Sequence, residues 1–268
     1  MNTLRNGEFF GQTNEILDCN GLTLTHTEYT HPYVDWHYHE NAYFTFLLEG
    51  NVTEGNRKEI YDCSAGTLLY HCWEDAHYNI KPEVFTRGFH IEISKDWFEN
   101  HQIFKSSLEG SFNIKDPALK LLTYQIFKET KLNDPDFELS IQQLLLSIFS
   151  QLKQESKGQE KSPVWTHKID ELLHESFTER INLTQLAQAI DIHPMHLSRD
   201  FHKYFHCNLG DYIRKLKINK SLGLLPNKHK SLTDIALDCG FSDQSHFIRC
   251  FRENIGITPL KYRNLLNK

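Results

Sequence analysis

The sequence predicts an α+β protein of two domains, the first rich in β-strands and the second built only of helices. Residues 20–95 form short runs rich in Thr, Tyr, Phe, Val and Ile between Gly, Asn, Asp and Pro, which is typical of antiparallel β structure. From Asp116 onward, apolar residues recur at intervals of three and four, as in amphipathic helices. The length of 268 residues suffices for about two domains.

Four segments follow from this pattern. Residues 1–112 are predicted to form an antiparallel β-sandwich or β-barrel, and residues 113–155 a pair of helices that meet near Asn133 to Pro135. Residues 156–164 are polar and interrupted by Gly and Pro, so they are predicted to be a linker. Residues 165–268 form the second domain.

Charge changes at the same boundary. Residues 1–160 carry 13 Lys+Arg and 24 Asp+Glu, a net charge of −11, whereas residues 161–268 carry 16 and 11, a net charge of +5. The overall charge of −6 conceals this division. Such asymmetry favours a chain in which the second domain faces nucleic acid.

The second domain contains one structural unit twice. Several residues of the first copy recur 49 or 50 residues later, among them Thr184 as Thr233 and Arg199 as Arg249. Each copy is predicted to have a short helix, a tight turn and a second helix, over 194–204 in one copy and 243–254 in the other. This is the helix-turn-helix arrangement, whose second or recognition helix enters the major groove of DNA.

Capping residues and one long helix complete this domain. Thr184 and Thr233 are predicted to start the short helices, and Ser242 to cap the second recognition helix. Residues 209–225 are predicted to form one helix that ends at Pro226. Its length of about 25 Å would hold the two recognition helices roughly one turn of DNA apart.

The stretch SLTDIALDCGFSDQSHFIRCFRENIGITPLKYR resembles the C-terminal signature of the AraC/XylS transcription regulators. The resemblance covers residues 165–268. It implies a sequence-specific regulator, an activator, that binds two adjacent major-groove segments of double-stranded DNA and has RNA polymerase as a partner. The first copy departs from the family pattern at Asp191, His193 and His206, which stand where Gly, Ser and Gly are common.

The resemblance and the positions on the recognition helices also indicate which residues contact DNA. Arg can pair with guanine, Gln with adenine, and Met can pack on the thymine methyl group. The expected base contacts are Met195, Ser198, Arg199, Gln244, Ser245 and Arg249. Phosphate contacts are expected from basic side chains and helix starts, namely Thr184, Lys203, Arg214, Lys217, Thr233 and Arg252.

The segment WHYHENAYFTFLLEGN is similar to the cupin-type sensor domain that commonly precedes this DNA-binding domain. His37 and His39 are two residues apart on a predicted strand, so their side chains lie on the same face. Together with His77 they could hold a metal ion. An enzymatic cupin usually adds a glutamate where this chain has Tyr43 and Phe44. We therefore expect no metal, no cofactor and no enzymatic activity, but a pocket for a small-molecule effector, lined by Trp36, His37, His39, Tyr43, Trp73 and His77.

Two alternatives remain open at this point. One is a metal-binding cupin enzyme or metal sensor fused to a DNA-binding domain, and the other is a regulator whose first domain binds another protein. The helical pair 113–155 is expected to pack on the barrel, and the family resemblance suggests a homodimer through it. The six cysteines form no CxxC pair, and neither a leader nor an apolar run of about 18 residues is seen, so a cytoplasmic protein is expected.

Overall fold

The computed structural model describes residues 2–103, 110–132, 135–159 and 163–266. The chain divides into two compact units, Met1–Phe149 and Ser150–Lys268. Helix α3, Phe137–Gln159, extends into the predicted linker 156–164, whose residues 160–162 lie outside the described part.

The strands described in the first unit form two sheets. One has the strand order β1-β4-β9-β6-β7 and the other β11-β8-β5-β10-β3-β2. The strands are β1 Asn2–Leu4, β2 Gln12–Cys19, β3 Leu22–Glu28, β4 Tyr33–His39, β5 Ala42–Glu49, β6 Asn51–Asn56, β7 Ile60–Ser64, β8 Leu68–His71, β9 His77–Ile80, β10 Arg87–Ile93 and β11 Phe112–Asn113.

The predicted β-rich first domain is confirmed, but its strands form two sheets and not a closed barrel. Among the strands described, no backbone ladder joins the two sheets, and β1 pairs with β4 in parallel, Asn2 lying opposite His37. Strand β1 lies before the segment in which the sequence pattern predicted strands, and it extends the edge of the first sheet. The two sheets face each other across a core instead of forming one continuous surface.

The described residues of this unit include the helices α1 Lys95–Asn100, α2 Pro117–Leu132 and the first part of α3. The two long helices confirm the predicted amphipathic pair, and their predicted junction at 133–134 lies outside the described residues. Aromatic side chains join them to the second sheet: ring centroids lie 4.2 Å apart for Phe46 and Tyr124 and 5.6 Å apart for Phe44 and Phe149.

The second unit is helical. Its helices are α4 Val164–Ser176, α5 Leu183–Ala189, α6 Pro194–Phe205, α7 Leu209–Leu224, α8 Leu232–Asp238, α9 Gln244–Ile255 and α10 Pro259–Leu265. Both predicted helix-turn-helix units are confirmed as α5–α6 and α8–α9, and α7 is the predicted long helix. Their bounds agree with prediction to within about one residue, which is the usual uncertainty of helix ends.

Both short helices are capped two residues earlier than predicted. The side chain of Asn182 accepts a hydrogen bond from the Thr184 amide at 2.8 Å, and Ser231 caps α8. Thr184 and Thr233 therefore lie in the first turn, not at the cap. Both Asn and Ser are good caps, and a sequence with two neighbouring candidates does not decide between them.

The recognition helices begin with side-chain caps as well. The prediction that Ser242 caps α9 was wrong. The Asp243 carboxylate accepts a hydrogen bond from the His246 amide at 2.8 Å, and the Ser242 hydroxyl donates to that carboxylate. In the first copy, His193 acts as the cap, and its Nδ1 accepts the Met195 amide at 3.2 Å.

The turns of the two copies share one backbone geometry despite their different residues. Asp191 has φ +57° and Gly240 has φ +77°, while His206 and Gly256 end the recognition helices at +53° and +84°. At Gly240 a Cβ atom would lie 2.2 Å from the Thr178 carbonyl oxygen, so only glycine fits. No helix of the described chain is both long enough and apolar enough to span a membrane.

Candidate functional site

The recognition helices α6 and α9 are anchored by one apolar face each. Leu197 and Phe201 on α6, and Phe247 and Phe251 on α9, are fully buried. Because residues four apart share one face of a helix, the remaining surface of each helix points outward. Helix α7 contacts both recognition helices.

The predicted base-contacting residues lie on the outward faces. Met195 is 73% exposed, which is unusual for a large apolar side chain. Ser198, Arg199, Ser245 and Arg249 are also exposed, and Gln244 is half-buried. This exposure leaves all six available to DNA, and their base contacts remain a prediction.

The two equivalent arginines differ in their surroundings. Arg199 donates to both carboxylate oxygens of Asp200, Nε to Oδ1 at 2.7 Å and one terminal nitrogen to Oδ2 at 3.1 Å. This pairing lowers the pKa of Asp200. Arg249 has no hydrogen-bond or ion-pair partner among the described residues, since Cys250 occupies the place equivalent to Asp200.

Two predicted phosphate contacts have intramolecular roles. The Thr233 hydroxyl donates to Gln244 Oε1 at 2.6 Å. Lys217 is half-buried and donates to the Gly240 carbonyl at 2.5 Å, with its ammonium 5.8 Å from the Phe241 ring, and burial lowers the pKa of this lysine.

The other predicted phosphate contacts are more accessible. Thr184, Lys203 and Arg252 are exposed, and Arg214 is half-exposed and forms an ion pair with Asp211. Phosphate contact by this set remains a prediction.

In the first unit, a cavity of about 50 Å³ lies between the inner faces of the two sheets. Four of the six predicted pocket residues line it: His37, His39, Tyr43 and His77.

The other two predicted pocket residues lie elsewhere, so the prediction was wrong for them. Trp36 precedes His37 on β4, points to the other face and packs on Tyr78 with ring centroids 5.1 Å apart. Trp73 lines a separate groove beside Phe98, 4.7 Å between centroids. Alternation along a strand places neighbours on opposite faces, which the sequence pattern already implied for Trp36.

Sequence analysis missed several residues of the cavity region. Glu54 on β6 and His90 on β10 line it, and His71 on β8 stacks on Tyr43 with 4.2 Å between ring centroids. Their polarity on largely buried strands was the available signal, since buried charged and imidazole groups are uncommon without a specific role.

Hydrogen bonds orient the polar groups of this cavity. Nδ1 of His37 lies 2.9 Å from the Asp35 carbonyl, and Nδ1 of His77 lies 3.3 Å from the Asp75 carbonyl. A carbonyl only accepts, so in both rings Nδ1 carries the proton and Nε2 carries the lone pair. Burial lowers the pKa of His77 to about 3 and raises the pKa of Glu54 to about 8.

The second unit is similar to known helix-turn-helix proteins. A family model described as a helix-turn-helix domain matches residues 186–265. PqrA of Proteus vulgaris, named a probable transcription factor, is 36% identical over 85 residues, which cover 32% of this chain and 70% of PqrA. GbdR of Pseudomonas aeruginosa, named a transcriptional regulator, is 35% identical over 92 residues, 34% of this chain and 25% of GbdR. The chain thus spans about a quarter of GbdR.

A third relative extends over both units. RhaR of Mannheimia succiniciproducens, named a transcriptional activator, is 24% identical, and the match covers 93% of this chain and 94% of RhaR.

A β-rich unit followed by two helix-turn-helix units on one scaffold defines a class of DNA-binding transcription regulators. The chain belongs to the AraC/XylS family of that class.

Proposed function

We propose that this chain is a ligand-responsive transcription activator that binds two adjacent major-groove segments with α6 and α9. The observation that carries the proposal is that both recognition helices present an outward polar face within one compact unit. Helix α7 spans 16 residues, or about 24 Å at 1.5 Å per residue. That length suits two segments about 10 base pairs apart.

The proposal includes how the regulator is controlled. A ligand in the cavity of the first unit is the effector, RNA polymerase is the protein partner, and the segment 113–155 mediates a homodimer. RhaR, whose match covers both units, is named an activator, which supports the sign of regulation. In this proposal the chain performs no catalysis.

Selection of bound sequences from a random pool of double-stranded DNA tests the DNA-binding part with the full chain. We expect an enriched motif with two half-sites whose centres are about 10 base pairs apart. Enrichment of a single half-site, or of no sequence, would contradict the use of both recognition helices.

The remaining parts need separate measurements. Transcription from a promoter carrying the selected motif, with purified RNA polymerase, should rise when the protein is added, and a fall would make the protein a repressor. Sedimentation of the full chain at several concentrations should show a dimer, and a monomer at every concentration would remove the dimer from the proposal.

A further inference from the structure

Five buried side chains in the first unit carry metal-ligand atoms directed toward one region. Glu54, His71 and His77 have ligand atoms that all lie within 4.8 Å of one another, and the same is true of His37, His39 and His77. The exposed fractions of these five lie between 1% and 4%. Three potential ligands at such spacing match the first coordination shell of a transition-metal ion.

His71 is the least satisfied member of this group. The side chain is 1% exposed, and neither of its ring nitrogens has a hydrogen-bond partner among the described residues. The carboxylate oxygen Oε1 of Glu54 lies 3.5 Å from Nε2 of His71, which is beyond hydrogen-bond distance. Leaving a buried polar group unsatisfied is unfavourable, so a histidine in this position points to a missing ligand.

The neighbouring groups are oriented as an outer coordination shell requires. The side-chain amide of Asn79 donates to Oε2 of Glu54 at 3.1 Å, which leaves Oε1 facing His71. His77 donates from Nδ1 to the Asp75 carbonyl, so its Nε2 carries the lone pair and accepts from the Tyr43 hydroxyl at 3.1 Å, a hydrogen bond that a metal ion on Nε2 would replace. Metal-binding histidines typically donate their other ring N–H to a carbonyl or carboxylate in this way.

The size of the cavity also favours an ion. About 50 Å³ is room for a few water molecules, each of which needs roughly 10–15 Å³ on the same measure. A drug-sized organic ligand typically occupies several hundred Å³. An ion with one or two waters fits this cavity, which Glu54 and His77 line, whereas His71 does not line it but stacks on the lining residue Tyr43.

We propose that the first unit binds one divalent transition-metal ion, of the class that prefers imidazole and carboxylate ligands, through Glu54, His71 and His77. Glu54 lies on β6 and His77 on β9 of one sheet, and His71 lies on β8 of the other. The bound ion would therefore join the two sheets. The proposal rests on the proposed sensing role of this cavity and identifies its ligand as a metal ion, contrary to the expectation from sequence.

The triad with Glu54 is preferred over His37, His39 and His77 for one electrostatic reason. A divalent charge in a buried site is costly without a counter-charge, and Glu54 is the acidic member of the two triads. The histidine-only triad leaves both Glu54 and His71 without a role.

The test is titration of the metal-depleted full chain with Zn²⁺ by calorimetry, and with Co²⁺ by visible absorption, which reports the geometry of the bound ion. We expect one Zn²⁺ per chain and a four-coordinate Co²⁺ spectrum. Loss of an outer-shell partner alone typically costs about 10–100-fold in affinity, so Glu54→Gln and His71→Gln should each weaken binding at least about 100-fold. Asn79→Ala should weaken it about 10-fold.

His90→Gln is the matched control, because His90 is equally buried and lines the same cavity but belongs to neither triad. It should bind Zn²⁺ as the parent does. Circular dichroism in chelator shows whether each variant is folded, and Asn79→Ala serves as the decisive variant if a ligand substitution prevents folding.

Three results would overturn the proposal. The first is that the parent binds no stoichiometric metal. The second is that the Glu54, His71 and Asn79 variants bind Zn²⁺ with the same affinity as the parent. The third is that His37→Gln loses metal binding while His71→Gln keeps it. The measurement uses no DNA, so failure of the proposed DNA-binding function would leave its outcome unchanged.

Discussion

The hydroxyl of Thr233 donates to Oε1 of Gln244 at 2.6 Å, joining the first turn of α8 to the first turn of the recognition helix α9. The amide nitrogen of Gln244 has no partner among the described residues, so this contact leaves its two N–H donors as the free end of the side chain. Thr233 was expected to contact phosphate, whereas this hydrogen bond suits it to position the side chain of Gln244, for which a base contact is predicted.

Thr233→Val should therefore reduce discrimination at one base pair of the second half-site by about 1 kcal/mol, because Gln244 loses its fixed orientation. The dependence of affinity on salt should not change, since no charge is removed. Binding to single-base variants of the selected motif measures both.

Thr184→Val is the control for this substitution. Thr184 is the equivalent residue in the first copy. Pro194 stands in the place of Gln244 and has no side-chain amide to orient. Its substitution should leave base preference unaltered. A uniform loss of affinity for every motif variant in Thr233→Val would instead support a phosphate contact.

Sequence pattern predicted the helical unit more accurately than the details of its surface. The repeat and the buried spacing of Leu197, Phe201, Phe247 and Phe251 define the helices, because burial requires an apolar residue at every third or fourth position. A side-chain hydrogen bond such as that of Thr233 leaves no periodic trace. Its geometry depends on how α8 and α9 pack, which one sequence does not specify.

The arginine of the second copy should contribute more to binding than the arginine of the first. Arg249 has no partner in the part of the chain that the structure describes, whereas Arg199 must exchange its contacts with Asp200 for contacts with DNA. Arg249→Ala should cost about 1–3 kcal/mol and relax base preference. Arg199→Ala should cost less, because the parent loses the exposed Arg199–Asp200 ion pair when Arg199 turns to DNA.

Asp200→Asn tests the reason for this difference. Releasing Arg199 should tighten binding to the intact motif, and the gain should disappear when Arg199→Ala is added. Glu253→Gln, which removes an exposed acid from α9, controls for the change in net charge. Equal gains from Asp200→Asn and Glu253→Gln would show that only net charge matters.

Lys217 should act on stability more than on DNA affinity. Lys217→Met keeps the apolar stem but removes the hydrogen bond to Gly240, so the free energy of unfolding should fall by about 1.5–3 kcal/mol. Lys203→Ala, at an exposed position, should leave stability unchanged and lower the slope of log affinity against log salt by about 1. Thermal unfolding measures the effect on stability, and salt titrations measure the effect on phosphate contacts. A lowered salt slope in Lys217→Met would support the phosphate contact predicted for Lys217.

The first unit was harder to predict from sequence, for a physical reason. A strand pattern shows which residues share a face but not which strands become neighbours. His37 and His39 could be placed together, yet Glu54 and His71 come from separate strands on two sheets. Only the packing of those sheets brings them close.

Glu92 makes the stability of the first unit depend on pH. Its side chain is fully buried, Oε2 accepts the Gly7 amide at 2.7 Å, and burial raises its pKa from 4.5 to about 7. Between these two values the folded state retains a proton that the unfolded state releases. The contribution of Glu92 to the free energy of unfolding therefore decreases as pH rises from about 4.5 to about 7, and is constant above that range.

Glu92→Gln removes this dependence and keeps the acceptor for Gly7, so it should stabilise the protein more at pH 8 than at pH 5. Urea unfolding in chelator, followed by tryptophan fluorescence, measures this, because three of the four tryptophans lie in the first unit. The exposed Glu83→Gln is the control and should show the same effect at both pH values. Glu54, with a raised pKa, and buried histidines such as His77 and His90, with lowered pKa values, contribute opposite pH dependences that parent and variant share, so the difference between parent and Glu92→Gln is the quantity that reports on Glu92. A difference between parent and Glu92→Gln that is constant across pH would mean that Glu92 is ionised in the folded state throughout.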